Sequence, residues 1–212
     1  MDAKAHWESV YQTKRADRLS WFQPRAEISL DLIRRVAPDR RSRVIDVGGG
    51  ASVLVDGLLG DGYSRIAVMD LSYAGFKVAQ ARLGTAAEAV EWIEGDVLST
   101  ALPKRAFDVW HDRAVFHFLT APADRIAYIA QVCRTVRPRG YVLVATFAED
   151  GPTKCSGLSV ARYSAGSLHG EFGDRFRLVD SVKERHVTPS GASQSFVYCL
   201  CQFVPRAGHR AA

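Results

Sequence analysis

The sequence predicts a single α/β domain, built on a mostly parallel sheet that carries helices on both faces. Strand-like and helix-like segments alternate five times between residues 26 and 147, and such alternation is typical of parallel sheets. Two more strand-like segments, 176–182 and 195–203, are joined by too little chain for a crossover helix. They therefore predict an antiparallel pair at the end of the sheet. The length of 212 residues suits one such domain with a full hydrophobic core.

The first half of the predicted domain contains two strand–helix units. In chain order its elements are a helix over 26–37, a strand over 43–47, a short helix ending at 59, a strand over 65–69 and a helix over 73–83. The first helix has apolar residues at helical spacing and stops at Pro38. Gly48, Gly49 and Gly50 break the first strand, and Gly84 ends the last of these helices.

The second half continues the alternation and then changes direction. In chain order its elements are a strand over 90–94, a strand over 107–110, a helix over 124–136, a strand over 141–147 and the antiparallel pair. In the helix, Ile126, Ile129 and Cys133 lie on one stripe, which predicts the face that packs on the sheet. The strand that follows is nearly all apolar and rich in residues that favour strands.

Composition and charge favour a soluble, cytoplasmic protein, which we expect to be monomeric. No apolar run approaches the roughly 20 residues that span a bilayer, and the N-terminal residues include no apolar signal segment. The net charge is +5, and five arginines cluster within residues 34–43. A basic cluster can attract nucleic acid, but no aromatic residues alternate with these arginines, so a solvated surface is the favoured interpretation.

The four cysteines, at positions 133, 155, 199 and 201, show no spacing that is typical of a zinc site. Cys199 and Cys201 are two positions apart on a predicted strand, so both point to one face and are poorly placed to bond each other. We interpret all four as reduced thiols in packing positions and predict no metal site.

The three glycines after the first strand indicate a site for a nucleotide-like ligand. Such a ligand needs the chain to turn sharply into a helix while the backbone approaches it closely, which glycine permits. Asp70 follows the second strand, where its carboxylate can accept hydrogen bonds from both hydroxyls of a ribose. These two features alone do not distinguish S-adenosylmethionine (SAM) from NAD, because a short glycine loop is weak evidence by itself.

Three further features favour SAM. The dinucleotide pattern requires a third glycine where Val53 stands. Asp46 precedes the glycines, and its negative charge suits the cationic amino-acid end of SAM but would repel a pyrophosphate. The segment Gly95-Asp96-Val97 ends the third strand, where an aspartate can accept from an adenine amino group and the next N–H can reach a ring nitrogen.

These residues resemble the class I SAM-dependent methyltransferases, over residues 43–203. Segment 46–50 is similar to the family's first motif, Asp70 to its ribose-binding acid and segment 95–97 to its adenine motif. Residues 136–140 resemble the Leu-(Arg/Lys)-Pro-Gly-Gly turn before the fifth strand, with Arg139 in place of a glycine. The resemblance implies SAM as the cofactor and a Rossmann-like seven-stranded sheet in the order 3-2-1-4-5-7-6, with strand 7 antiparallel. The implied cofactor contacts are Trp21, Asp46, Gly48, Gly49, Gly50, Asp70, Leu71, Asp96, Val97 and Asp112.

The N-terminal residues resemble a narrower group. Segments 6–11 and 20–23 are similar to the opening of methyltransferases related to the protein-lysine methyltransferases of citrate synthase and elongation factor 1A. Trp-Phe openings also occur in thiopurine-methyltransferase-like enzymes. The resemblance implies a lid that places Trp21 and Gln23 over the cofactor; the alternative is that Trp7 and Trp21 only pack this segment onto the sheet. The implied boundaries are 1–25 for the lid, 26–204 for the methyltransferase domain and 205–212 for a disordered basic tail.

Ionisable residues after the fourth strand are the candidates for the acceptor side. They are His111, Asp112, Arg113 and His117. In the methyltransferases that the chain resembles, the segment after the fourth strand lines the methyl donor, and the resemblance implies this place for Asp112 and Arg113. Either histidine could accept a proton. The alternative is structural, with an Asp112–Arg113 ion pair and a packed imidazole. The loop 147–158, which contains Cys155, is predicted to form a wall or lid of the substrate site.

The favoured function is methyl transfer by in-line displacement to a protein lysine or to a nitrogen, sulfur or oxygen atom of a small molecule. A protein acceptor should leave an open groove beside the methyl donor, whereas a small molecule should leave a closed pocket. Two other classes are an NAD(P)-dependent oxidoreductase, which Val53 and Asp96 disfavour, and a non-catalytic SAM-binding module. Such a module would be expected to lack the glycines or Asp70.

Overall fold

The computed structural model describes residues 2–204, which form a seven-stranded sheet and a separate two-stranded hairpin. The strands of the sheet are β1 (Val44–Val47), β2 (Ile66–Asp70), β3 (Val90–Glu94), β4 (Phe107–Arg113), β5 (Val136–Phe147), β8 (Phe176–Val187) and β9 (Ser193–Phe203). The hairpin strands are β6 (Lys154–Cys155) and β7 (Leu158–Ser159). The predicted tail, residues 205–212, lies outside the described residues.

The strands of the sheet lie in the order β3-β2-β1-β4-β5-β9-β8. Strands β1 to β5 are parallel, and β9 runs antiparallel to both of its neighbours. The predicted α/β class and the antiparallel final pair are therefore confirmed. The last two strands carry different numbers from the predicted order because the hairpin β6–β7 intervenes after β5.

Helices cover both faces of the sheet, as predicted. They are α1 (Ala3–Thr13), α2 (Glu27–Val36), α3 (Leu54–Gly60), α4 (Tyr73–Leu83), α5 (Pro122–Thr135) and α6 (Ala165–Phe172). Leu30 of α2, Leu58 of α3 and Phe76 of α4 belong to the core on one face. Val132 of α5 and Phe172 of α6 belong to the core on the other face.

Helix α5 packs on the sheet through only part of the predicted stripe, since Ile129 and Cys133 contact the core but Ile126 does not. Ile126 is 69% exposed, whereas Tyr128 and Val132 are fully buried. The Tyr128 hydroxyl accepts a hydrogen bond from the Trp110 indole N–H of β4 at 2.8 Å. A tyrosine hydroxyl in a core needs such a partner, and this contact turns the helix so that Ile126 faces solvent.

The turn predicted over residues 136–140 is instead the irregular start of β5. The register between β4 and β5 shifts between Phe107 and Val109, opposite this segment. Arg139 has φ +67°, in the left-handed region that favours glycine. The similar motif carries a glycine at this position, and the conformation explains that preference.

The sequence analysis did not predict helices α1 and α6, although each has a capping residue. The Asp2 carboxylate accepts the N–H groups of Lys4 and Ala5, and the Ser164 hydroxyl accepts the N–H of Ser167. Such caps satisfy N–H groups that have no partner within the helix. Both helices are short, so their stability depends on tertiary packing that a local pattern does not reveal.

Ion pairs neutralise much of the basic cluster at residues 34–43. Arg34 bonds to Asp61 at 2.6 Å, and Arg35 bonds to Asp180 at 2.6 Å. These pairs reduce the positive potential on which nucleic-acid binding depends. Across residues 2–204, every helix is too short or too polar to cross a bilayer.

The four cysteines are free thiols. Cys199 and Cys201 lie in the core on one face of β9, with their sulfur atoms 3.5 Å apart. Among the described residues, no three histidine, cysteine, aspartate or glutamate side chains are grouped to hold a metal ion.

Candidate functional site

A cavity of about 470 Å³, the main cavity, lies at the carboxyl ends of the central parallel strands. This is the edge at which open α/β sheets bind ligands, and the volume is within the roughly 300–1,000 Å³ of small-ligand sites. The lining residues at or just after strand ends are Val47, Gly48, Met69, Asp70, Leu71, Gly95, Asp96, Val97, Arg113 and Ala114. The other walls come from α1, Trp21, the turn after β4 and the hairpin.

The glycine turn after β1 has no space for side chains. Gly48 has φ +68°, and a Cβ atom there would lie 2.0 Å from the Val115 side chain. A Cβ atom on Gly50 would lie 2.8 Å from the Asp70 carboxylate and 2.6 Å from the Tyr11 hydroxyl. The turn is therefore compact, and its backbone can approach a ligand closely.

Asp70 lines the main cavity at the end of β2 and is 8% exposed. Its Oδ1 accepts the Ser72 N–H at 2.8 Å, which holds the carboxylate beside the start of α4. Burial raises the pKa of Asp70 to about 7; the Asp46 carboxylate adds to this rise, and backbone N–H groups oppose it. A ligand whose hydroxyls donate to this carboxylate would stabilise its ionised form.

Binding of S-adenosylhomocysteine, the product form of SAM, is expected to weaken as the pH falls below 7. Ribose hydroxyls donate best to an ionised Asp70, whose pKa is about 7 in the free protein. Lowering the pH from about 8 to about 6 should therefore raise the Kd about tenfold, since one pKa unit corresponds to ~1.4 kcal/mol. Calorimetric titration measures this change, and Asp70→Asn should remove it. A Kd that does not vary with pH would contradict the assignment.

Asp96 and Val97 follow β3 and line the main cavity, as the adenine motif requires. The Asp96 Oδ1 accepts the Leu98 N–H at 2.8 Å, which fixes the turn after the strand. A Cβ atom on Gly95 would lie 2.2 Å from the Thr100 hydroxyl oxygen. A side chain at this glycine would therefore displace the turn that carries Asp96.

Helix α1 lies across the ends of the strands. Glu8 accepts the Ser72 hydroxyl at 2.7 Å, at the start of α4. Trp7 packs edge to face on Phe118, in the turn after β4, with ring centroids 5.2 Å apart, and on Trp21 at 5.7 Å. The helix thus reaches from α4 to the turn after β4, and its inner face lines the main cavity.

Arg113 lines the main cavity at the end of β4, with its side chain 9% exposed. It donates to the Tyr198 hydroxyl at 2.9 Å, to Glu184 at 3.3 Å and to the Trp21 carbonyl at 3.2 Å. Its ion-pair partner is therefore Glu184 of β8, not Asp112. Arg113 places a positive charge beside the main cavity and fastens the Trp21 segment to β8 and β9.

Asp112 does not line the main cavity, in contrast to the predicted contacts with cofactor and acceptor. It is fully buried, and its carboxylate accepts the N–H groups of Val115 at 2.9 Å and Phe116 at 3.1 Å. It also accepts the Tyr128 hydroxyl at 2.6 Å. Burial raises the pKa of Asp112 to about 6, and the hydrogen bond from Tyr128 opposes the rise. These contacts shape the turn after β4.

The two candidate histidines also lie outside the lining of the main cavity. His117 is fully buried, and burial lowers its pKa to about 3, so its ring is neutral at neutral pH. His111 is 2% exposed and bonds to Asp46 at 2.7 Å and to Ser29 at 2.9 Å. Neither ring is placed to take a proton from an acceptor in the main cavity.

A second cavity of about 50 Å³, the small cavity, adjoins the glycine turn. Its lining includes Asp46, Gly49 and His111. The residues that line both cavities are Tyr11, Trp21, Gly48 and Arg113. The Asp46 Oδ2 atom is buried and accepts no hydrogen bond from residues 2–204. A buried carboxylate oxygen needs a donor, so the site fits the cationic amino-acid end of SAM.

Several lining residues carried no site assignment in the sequence analysis. They are Ala3, Tyr11, Val47, Met69, Leu98, Ala114, Val115, Phe118, Leu119, Thr120, Asp124 and Ser159. Trp7 and Tyr11 are four positions apart after the Asp2 cap, a spacing that indicates one face of a helix. Cys155 lines the main cavity within the loop predicted as a substrate wall, and burial raises the pKa of its thiol to about 11.

Comparison with known proteins agrees with this geometry. Residues 45–144 match a family model described as a methyltransferase domain. No curated protein sequence matches the chain significantly.

Three similar solved structures share the fold. One comes from work on the conversion of a disulfide bond into a thioacetal group during echinomycin biosynthesis; it is 17% identical, with a TM-score of 0.75 over 97% of this chain and 94% of that chain. The second is the Burkholderia thailandensis 1,6-didemethyltoxoflavin-N1-methyltransferase with bound 1,6-didemethyltoxoflavin and S-adenosylhomocysteine, at 18% identity and TM-score 0.71 over 95% and 87%. The third is a chain in the complex of the Haloferax volcanii Trm112 methyltransferase activator with a methyltransferase, at 14% identity and TM-score 0.74 over 98% and 99%.

Proposed function

We propose that this SAM-dependent methyltransferase acts on a small, largely apolar molecule whose attacking atom carries no proton at neutral pH. The enzyme class and the cofactor follow from the match to a methyltransferase domain and from the fit of Asp46, Asp70 and the glycine turn to SAM. When bound, SAM supplies a methyl group on a positively charged sulfur: the acceptor's lone pair bonds to the methyl carbon, and the electrons of the broken carbon–sulfur bond stay on the sulfur. The protein's task is to align the acceptor and exclude water.

The observation that carries the proposal is the aromatic and largely apolar lining of the main cavity. Trp7 of α1, Trp21 and Phe118 pack against one another beside it, and Cys155 and Leu158 of the hairpin region line it as well. Three separate chain segments thus border the space next to the strand ends. Aromatic and apolar walls of this kind suit a small apolar acceptor.

The residues around the main cavity offer little base catalysis. Among the described residues that line it there is no histidine, lysine or glutamate. Asp70 and Asp96 are assigned to SAM, which leaves Asp124 as the remaining carboxylate of this lining. A lysine ammonium must lose a proton before it attacks. A thiolate or a neutral ring nitrogen needs no base.

The N-terminal segment, residues 1–25 of the predicted organisation, serves in this proposal as the lid of the site. Glu8 joins α1 to α4 through Ser72, and Gln23 donates to Glu184 of β8 at 2.7 Å. Together with the bond from Arg113 to the Trp21 carbonyl, these contacts are polar and partly buried. They can break and re-form as SAM enters and its product leaves.

Two proteins of the same fold agree with a small acceptor. The 1,6-didemethyltoxoflavin-N1-methyltransferase carries its small-molecule acceptor bound, and a second structure belongs to the biosynthesis of echinomycin. At these identities the likeness establishes the fold, so the support comes from the compatibility of the architecture with such acceptors.

Transfer of label from methyl-labelled SAM tests the substrate class. A bacterial lysate would be separated by ultrafiltration into metabolites and proteins, and each fraction incubated with the enzyme. We expect label in the metabolite fraction, because the aromatic and apolar walls of the main cavity suit a small apolar acceptor. The Asp70→Ala variant, which should bind SAM poorly, is the matched control. Enzyme-dependent label in a discrete protein band would contradict the proposal.

Two simple acceptors of similar size test the argument about the base. Thiophenol is largely ionised at neutral pH, whereas benzylamine is protonated. The enzyme should therefore methylate thiophenol faster than benzylamine, since only the amine requires a base. A faster reaction with benzylamine would show that the site deprotonates ammonium groups.

A further inference from the structure

Three buried polar side chains form a hydrogen-bonded chain behind the glycine turn. Asp46 on β1 and His111 on β4 are direct partners in the parallel register of these strands, so their side chains project to the same face. Asp46 Oδ1 and His111 Nδ1 are 2.7 Å apart, and His111 Nε2 lies 2.9 Å from Ser29 Oγ of α2. All three residues are at most 2% exposed.

One oxygen of these three hydrogen-bonded side chains has no partner among the described residues. Asp46 Oδ2 is buried and accepts no hydrogen bond from residues 2–204. Asp46 lines the small cavity, and Oδ2 would lie 2.7 Å from a Cβ atom on Gly49. Such an oxygen destabilises the protein unless a donor from outside the chain reaches it. The contrast between a fully bonded Oδ1 and a free Oδ2 indicates a carboxylate that is held in place for a ligand.

We propose that His111 is a positioning residue for the cofactor: backed by Ser29, it fixes the Asp46 carboxylate so that Oδ2 faces the ammonium group at the amino-acid end of SAM. Ser29 sets the tilt of the ring by bonding to its second nitrogen. The hydrogen bond between His111 and Ser29 can form whether or not Nε2 carries a hydrogen, since a serine hydroxyl can donate to Nε2 or accept from it. This role differs from the proton acceptor that the sequence predicted. It rests on the use of SAM, and not on the proposed class of acceptor.

The same three residue types form the nucleophilic triad of serine hydrolases. Here Ser29 is 1% exposed and faces the interior from α2. The adjoining cavity of about 50 Å³ is far below the roughly 300 Å³ at which ligand pockets begin. The small cavity adjoins the main cavity at Tyr11, Trp21, Gly48 and Arg113, so it has room for one end of a ligand in the main cavity but not for a separate substrate beside Ser29. The hydrogen-bonded residues therefore orient Asp46, and Ser29 does not act as a nucleophile.

The test compares two ligands that differ in the amino-acid end alone. Calorimetric titration would give the Kd of S-adenosylhomocysteine and of 5′-methylthioadenosine, which lacks the ammonium and carboxylate groups. In His111→Leu, the Kd of S-adenosylhomocysteine should rise about tenfold, because a hydrogen bond to a charged group loses its geometry. The Kd of 5′-methylthioadenosine should change less than about twofold, since its contacts lie elsewhere.

Matched variants distinguish a loss of Asp46 positioning from a general loss of structure. His111→Asn keeps a donor near the Nδ1 position and should restore S-adenosylhomocysteine binding to within about threefold of wild type. His169→Leu removes another half-buried histidine, whose Nε2 bonds to the Phe176 carbonyl at 2.6 Å, and should leave the ratio of the two Kd values unchanged. Ser29→Ala should raise the Kd of S-adenosylhomocysteine about threefold.

Equal weakening of both ligands in His111→Leu would overturn the proposal, because it would show a structural role. An asparagine variant as weak as the leucine variant, or no change in either, would overturn it too. If His111→Leu does not fold, the ratio of the two Kd values in Ser29→Ala decides in the same way. Because no acceptor is present, failure here leaves the proposed acceptor class unaffected.

Discussion

Replacing Asp112 with alanine is expected to lower the free energy of unfolding by about 3–5 kcal/mol, since it removes a buried carboxylate from its donors. The N–H groups of Val115 and Phe116 and the Tyr128 hydroxyl would lose their acceptor inside the core. Each buried donor without a partner costs about 1–3 kcal/mol. Urea unfolding, followed by tryptophan fluorescence, measures the change.

Asp108→Ala is the matched control on the same strand. Asp108 accepts the Arg43 N–H at 2.7 Å and pairs with Arg137 at 2.8 Å, but its side chain is 28% exposed. Water can replace these partners, so a loss of about 1 kcal/mol is expected. If Asp112→Ala unfolds like the wild type but loses activity, Asp112 touches the reacting groups after all, as the sequence predicted.

Asp70→Ala is expected to weaken S-adenosylhomocysteine binding by about 1–3 kcal/mol, through the loss of charge-assisted hydrogen bonds to the ribose. Asp96→Ala should act in the same direction at the adenine. Calorimetric titration provides both values. Glu91→Ala is the control, because Glu91 is 48% exposed and pairs with Arg43 at the opposite end of the sheet. Unchanged affinity in both folded variants would rule out this cofactor site.

The Asp70 carboxylate also lowers the stability of the ligand-free protein. The folded pKa of Asp70 is about 7 against a reference of 3.8, so between these values the folded state binds more protons than the unfolded state. Stability contributed by protonated Asp70 is therefore lost as the pH rises through this window. Asp70→Asn should increase the free energy of unfolding at about pH 8 by about 1–3 kcal/mol while it weakens ligand binding. A less stable variant would contradict the high pKa.

The sequence by itself determined the class of the fold and the strand ends at which Asp70, Asp96 and Val97 lie. The helix predicted over 73–83 has these bounds in the structure, and the predicted strands lie in the sheet with the antiparallel pair at its end. Asp70, Asp96 and Val97 line the main cavity. These features are predictable because strand, turn and helix signals are local and repeat along the chain.

The N-terminal half of the site was harder to predict for a physical reason. Two contacts fix the position of helix α1: Glu8 accepts a hydrogen bond from Ser72 at the start of α4, and the Trp7 ring packs against Phe118. These partners are distant in sequence, so periodicity alone does not reveal them. The prediction for α5 was wrong at Ile126 for a similar reason, since the buried Tyr128 has its partner on another element, Trp110 of β4.

The roles of His111, Asp112 and Arg113 were decided by the tertiary structure alone. Along a strand, successive side chains point to opposite faces, so Asp112 projects to one face of the sheet and His111 and Arg113 to the other. The partners that pack there then differ for each of the three residues. His111 meets Asp46 and Ser29, Asp112 meets Tyr128 and the turn after β4, and Arg113 lies beside the main cavity. The sequence shows that ionisable groups gather at this strand end, but their partners come from α2, α5, β8 and β9. Only the packing of those elements on β4 determines which side chain bonds to Asp46, which supports the turn and which lines the main cavity.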